Sequence, residues 1–177
     1  MIESCYWKEE LLRIAKLIRP VLKPCRWTER SHCVVERDVM IGFFIIRRLI
    51  ELNTVSPRVR DLKMEVYSCP NLGKDVTLRN RGELDELYDI NKERKETKKP
   101  PYIANQFVHA YTSFVARDET RNWWSMYVVS DFDRNHCIWR VPINSIRALF
   151  VLASRDYPRS MSLTYNADKR DYDVSVQ

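Results

Sequence analysis

Residues 103–142 read IANQFVHAYTSFVARDETRNWWSMYVVSDFDRNHCIWRVP, and within this stretch the apolar spacing changes from helical to alternating. After the double proline Pro100-Pro101, the spacing predicts a short helix over Tyr102 to Ala110 and a strand over Tyr111 to Arg117. The alternation of Phe107, His109, Tyr111, Ser113 and Val115 would also suit one continuous strand, and helix followed by strand is the favoured reading. Asp118 to Asn122 has the composition of a hairpin loop, Trp124 to Val129 alternates as a strand, and Asp131 to Asn135 is a polar turn into a third strand at Cys137 to Val141. Three strands joined by short turns make an antiparallel meander. Pro142 suits the first turn of a helix from Ile143 to Ser154 with Ile146, Leu149, Phe150 and Leu152 as its core face. Met161 to Tyr165 and Tyr172 to Val176 form a last hairpin around Asn166 to Arg170.

Upstream, Trp7, Leu11, Ile14 and Ile18 recur at helical steps, with Lys8, Arg13, Lys16 and Arg19 on the opposite face. Ser4 is the expected N-cap, and Pro20 and Pro24 should kink or end the helix. A second helix, starting between Thr28 and Asp38 and running to about Leu52, is apolar on almost every side and should be central. Asp61 to Cys69 alternates as a short strand, and Glu83 to Lys95 places Leu84, Leu87 and Tyr88 on one helical face. The charge run Lys92 to Lys99 reads as a mobile loop. The expected architecture is therefore α+β: N-terminal helices packed with a small antiparallel β-sheet, made of the meander plus the C-terminal hairpin. One domain, 1–177, is expected, helical and basic over 1–60, mixed over 61–101 with the charged loop at 92–101, and mainly antiparallel sheet with one helix over 102–177.

A chain of 177 residues with 45% hydrophobic and 31% charged residues is long enough to bury one core, and only three glycines leave little for linkers. The first residues lack a basic secretory leader, and the most apolar window, Val39 to Ile46, is far short of a membrane span and is followed by Arg47 and Arg48. A cytoplasmic protein with no membrane partner is expected. Five cysteines without C-x-x-C spacing fit neither a disulfide framework nor a zinc ribbon. The net charge of +6 favours an anionic partner, and basic residues outnumber acidic ones 12 to 7 over 1–60.

Among the three histidines, His109 has the most suggestive neighbours. Asn105 precedes it by four residues, so on a helix both side chains share a face and can reach one phosphodiester. Metal-independent cleavage of RNA needs a group that takes the 2′-hydroxyl proton and a cation or amide that steadies the phosphate. The segment Asn105-Gln106-Phe107-Val108-His109 resembles the end of the HEPN nuclease motif, in which an arginine is followed by a polar residue, a few variable residues and a histidine on a helix of an all-helical bundle. Ala104 stands where that motif has its arginine. The run from Asn105 through Ser130-Asp131, Arg134-Asn135 and Val141-Pro142-Ile143 also resembles small bacterial proteins in which such a segment precedes a small sheet. The resemblance implies a ribonuclease of the bacterial defence or toxin type, with His109 as acid or base and Asn105 orienting the phosphate.

Other candidates are weaker. Asp131 and Asp133 could converge on a divalent cation, but Asp also dominates hairpin turns and no Glu-x-Lys pair follows. The pairs His32-Cys33 and His136-Cys137 consist of adjacent residues, which point to opposite faces of a strand. No metal and no cofactor is expected. Trp123, with Arg121, Arg134 and Arg140, has the composition of a base-stacking and phosphate-binding surface, although aromatic residues in strands pack into cores as well. Of Trp123 and Trp124, one should be exposed. Two function classes follow: an RNA-binding or RNA-cleaving protein, and a non-catalytic module that binds a protein partner or a second copy of itself.

Overall fold

A computed structural model of the chain describes residues 2–20, 28–120 and 122–176. Two long helices, α1 (Ile2–Leu17) and α2 (Glu29–Glu51), precede the short α3 (Pro57–Arg60) and the strand β1 (Met64–Pro70). A mixed segment follows with α4 (Leu84–Leu87), a 3-10 turn over 90–92 and β2 (Arg94–Lys98). The rest comprises α5 (Pro100–Val108), β3 (Ala110–Arg117), β4 (Trp123–Ser130), β5 (Cys137–Pro142), α6 (Ile143–Arg155), β6 (Met161–Asn166) and β7 (Asp171–Val176). The fold is α+β, as the residue patterns predict. Among the described residues no helix is long and apolar enough to cross a membrane.

Five strands form one antiparallel sheet in the order β2-β1-β5-β4-β3. The meander β3-β4-β5 matches the sequence reading, and the helix-to-strand switch falls at His109, between α5 and β3. Alternation directs Met126 and Val128 of β4 towards the helices, and Tyr127 and Val129 towards a second, smaller core. The larger core lies between the sheet and α1, α2, α5 and α6. At its centre Phe43 of α2 stacks on Phe107 of α5 (4.2 Å between ring centroids) and meets Phe150 of α6 edge-on at 5.3 Å. The smaller core joins Cys69, Tyr127 and Ile138 to Val76, Leu87 and Tyr88, so the segment after β1 covers the other face of the sheet.

The caps account for several boundaries. The Thr28 hydroxyl accepts from the Ser31 N–H at 3.2 Å and starts α2. Pro100 and Pro101 start α5 two residues earlier than the spacing suggests, because a proline lacks only an N–H that the first turn leaves unbonded anyway. Pro57 likewise opens α3. Ser4 is not an N-cap: α1 already includes Ile2, and Ser4 is buried within the first turn.

Four further expectations need correction. Lys8 does not face away from the core but is 1% exposed. The helix foreseen over Glu83 to Lys95 contracts to the single turn of α4, and the expected loop at 92–101 contains β2, whose Met64↔Lys98 to Ser68↔Arg94 register places it on the sheet edge. A strand this rich in charge suits a sheet edge, since charged side chains discourage further strand pairing. Finally, the C-terminal hairpin does not extend the meander's sheet but forms a separate two-stranded ribbon.

Candidate functional site

His109 caps the C-terminus of α5, where its N–H still donates to the Asn105 carbonyl at 3.0 Å. Its own carbonyl accepts the Asp131 N–H at 3.2 Å, which pins the α5–β3 junction to the β4–β5 turn. Buried Gln106 strengthens that link. Its amide donates to Asp133 Oδ2 at 2.6 Å and its carbonyl oxygen accepts the Ser130 N–H at 2.9 Å. Tyr102 Oη also donates to Asp133 at 2.9 Å, and burial together with the Asp133 carboxylate raises its phenol well above the ordinary range. Asp133 is thus committed to holding the turn, and Asp131 pairs with Arg134 at 2.7 Å.

The side chains of Asn105 and His109 are both exposed. Asn105 makes no side-chain hydrogen bond among the described residues, whereas His109 Nε2 lies 3.0 Å from Nη1 of Arg47, on α2. A guanidinium can only donate, so in this contact Nε2 accepts and the imidazole carries its proton on Nδ1. Arg47 also holds Glu51 at 2.8 Å, one turn along the surface of α2. Two residues beyond His109, the half-buried Tyr111 ring has the Arg134 guanidinium 4.4 Å from its centroid, and its carbonyl accepts from Arg81 Nη1 at 3.3 Å. An exposed imidazole and a free amide therefore lie at the end of α5 beside Arg47, while Tyr111, at the start of β3 and packed against the smaller core, is flanked by Arg134 and Arg81.

The other sequence candidates are placed elsewhere. Arg140 is 4% exposed, makes a two-point contact with Glu93 (2.8 and 2.7 Å), donates to Ser125 Oγ and stacks on Tyr67 at 3.8 Å. It has no surface from which to meet a phosphate, because the alternation that directs Trp139 into the main core turns Arg140 into the opposite layer. Trp123 is half-buried against the main core, with its indole N–H donating to the Ile18 carbonyl at 2.8 Å. Trp124 is the exposed one, under the Arg140 guanidinium at 4.3 Å. Arg121 lies outside the described residues. The candidate site retains His109, Asn105 and Arg134.

Arg47, Arg81 and Tyr111 are the additions. Arg47 follows the apolar run of α2 and is separated from His109 by 62 residues, so only tertiary packing reveals the pair. Among the described residues no group of three or more His, Cys, Asp or Glu gathers as a metal site would require. Of the described cysteines, Cys33, Cys69 and Cys137 are free thiols. Burial pushes the thiols of Cys69 and Cys137 up to about 11, far from the range of a nucleophile at neutral pH. Comparison of the chain with family models, with curated proteins and with solved structures gives no match.

Proposed function

We propose that the end of α5 binds RNA and cleaves it without a metal ion. The observation that carries this reading is the 3.0 Å contact between Arg47 and exposed His109, with the unoccupied Asn105 amide one turn before it. In the proposed reaction Arg47 moves onto a non-bridging phosphate oxygen, which frees His109 Nε2 to take the proton of the ribose 2′-hydroxyl. The 2′-oxygen attacks phosphorus, the bond from phosphorus to the 5′-oxygen breaks, and the imidazolium returns its proton to that oxygen. The products are a 2′,3′-cyclic phosphate and a 5′-hydroxyl.

Magnitudes favour the movement of Arg47. An exposed pair such as Arg47–Glu51 contributes about 0.2–1 kcal/mol, whereas a hydrogen bond to a charged phosphate contributes about 1.5–3 kcal/mol. Tyr111 and Arg134 would hold a neighbouring base and phosphate. The HEPN-like ancestry is proposed in the same sense, with the arginine reaching the histidine from α2 in place of position 104. Cleavage of total RNA in EDTA tests the reading: the wild type should cleave, and His109→Ala at matched folding should not.

A second reading draws on the C-terminal ribbon. The cross-strand pairs Met161↔Val176, Leu163↔Val174 and Tyr165↔Tyr172 put six apolar side chains on one face, and four of them are 45–59% exposed. An isolated two-stranded ribbon is marginal in water. On this reading the protein is a binding module, and a second copy covers that face.

A further inference from the structure

A groove of about 710 Å³ runs along the outer face of α6 beside α3, and His109 is not part of its lining. Its position follows from helical spacing, since Asn144, Arg147, Ala148 and Arg155 lie opposite the core-facing Ile146, Leu149 and Phe150. Val151 and Leu152, the latter placed wholly on the core face by its spacing, are half-buried and reach both the core and the groove. Arg58 reaches the same groove from α3. Three guanidiniums thus border one concavity, and none has a carboxylate partner among the described residues. Arg147 uses only Nε, donating to the Ala15 carbonyl at 3.0 Å, so its two terminal nitrogens stay available. The one acid in the lining, Asp156, is already engaged: its carboxylate accepts both the N–H and the hydroxyl of Ser56, at 2.5 and 2.8 Å. Between the arginines, Ala148, Val151 and Leu152 provide an apolar floor.

We infer that this groove binds a small organic polyphosphate, with Arg58, Arg147 and Arg155 on the phosphoryl groups and the apolar floor against the organic body. A lone carboxylate would leave two of the three guanidiniums unneutralised, whereas a ligand with two or more phosphoryl groups matches the charge. The planar fork of arginine suits phosphate oxygens in two-point contacts. The volume is that of a small-molecule site. The organic part distinguishes this ligand from a bare anion, because a purely ionic site has no use for three apolar side chains at its centre.

The test is isothermal titration of the full chain with ATP in EDTA at physiological ionic strength, beside adenosine and inorganic tripolyphosphate. ATP should bind at one site, tripolyphosphate about tenfold more weakly, and adenosine not detectably. Arg58→Gln and Arg155→Gln are exposed substitutions, and each should weaken ATP binding about tenfold, the scale of one lost charge-assisted hydrogen bond, with thermal unfolding unchanged. His109→Ala should leave it intact, which separates this site from the RNA reading. The inference is overturned if ATP does not bind, if tripolyphosphate binds as tightly as ATP, or if the double variant that carries both Arg58→Gln and Arg155→Gln binds ATP like the wild type. It is likewise overturned if the double variant loses RNA binding while keeping ATP binding.

Discussion

Lys8 occupies the junction of α1, the turn after α2 and the end of α6. Its ammonium donates to the carbonyls of Thr54 (2.8 Å) and Asp156 (2.6 Å) and lies 3.6 Å from the centroid of the Tyr157 ring. Burial lowers its pKa, and the nearby Asp156 carboxylate offsets part of that shift. Lys8→Met keeps the stem but leaves both carbonyls without this donor. Relief of the buried charge compensates in part, so the expected loss is about 1–3 kcal/mol in urea unfolding; a variant as stable as the wild type would contradict this role. Glu36 tests the opposite sign. Burial raises its carboxyl above the ordinary 4.5, and a backbone hydrogen bond from Val115 only partly offsets that. The folded state then holds more protons than the unfolded one between 4.5 and the raised value, so its stability falls as pH rises through that window. Glu36→Gln should be more stable than the wild type at pH 7, with the difference disappearing below about pH 4 in thermal unfolding. The position of Lys8 was open to a periodicity reading, since Ser4, Lys8, Leu11, Ala15 and Ile18 share one stripe and all are buried. Charge type argued for solvent, but two carbonyls and an aromatic ring supplied what a buried ammonium needs.

At the scale of elements, α2 and α6 cross where Gly42 meets Phe150. A Cβ at position 42 would lie 2.3 Å from the edge of that fully buried ring. Alanine gains about 1 kcal/mol in helix propensity, and overpacking in a core costs about 1–3 kcal/mol. Since Phe150 is also held edge-on by Phe43, the overpacking should prevail and Gly42→Ala should lower the melting temperature; an unchanged or higher value would show that the ring has room to move. The long helices α1, α2 and α6 and the meander were readable because each carries its own period or turn chemistry, as at Pro142 and Asp131 to Asn135. β2 was not readable, because Arg94 to Lys98 has no apolar alternation and becomes a strand only through its ladder with β1. The Arg47–His109 contact was hidden for the same reason, being a product of α2 packing on α5. His109 and Asn105 stood out by residue type, whereas the burial of Arg140 depends on Glu93, 47 residues earlier.

For the whole molecule, one consequence rests on the ribbon and the other on the end of α5. If a second copy covers the apolar face of β6 and β7, sedimentation velocity should show a dimer that Leu163→Glu converts to a monomer; a wild-type monomer at micromolar concentration would rule that assembly out. The central claim concerns His109 and Arg47. Its most direct test is an end-labelled oligoribonucleotide incubated in EDTA with the wild type, His109→Ala and Arg47→Ala, beside the same oligomer made with 2′-deoxyribose. The wild type should release a 2′,3′-cyclic phosphate from the ribose substrate alone, with the rate reduced at least about 100-fold in each variant. Cleavage of the deoxy substrate, undiminished cleavage by His109→Ala, or an intact oligomer with the wild type would contradict it.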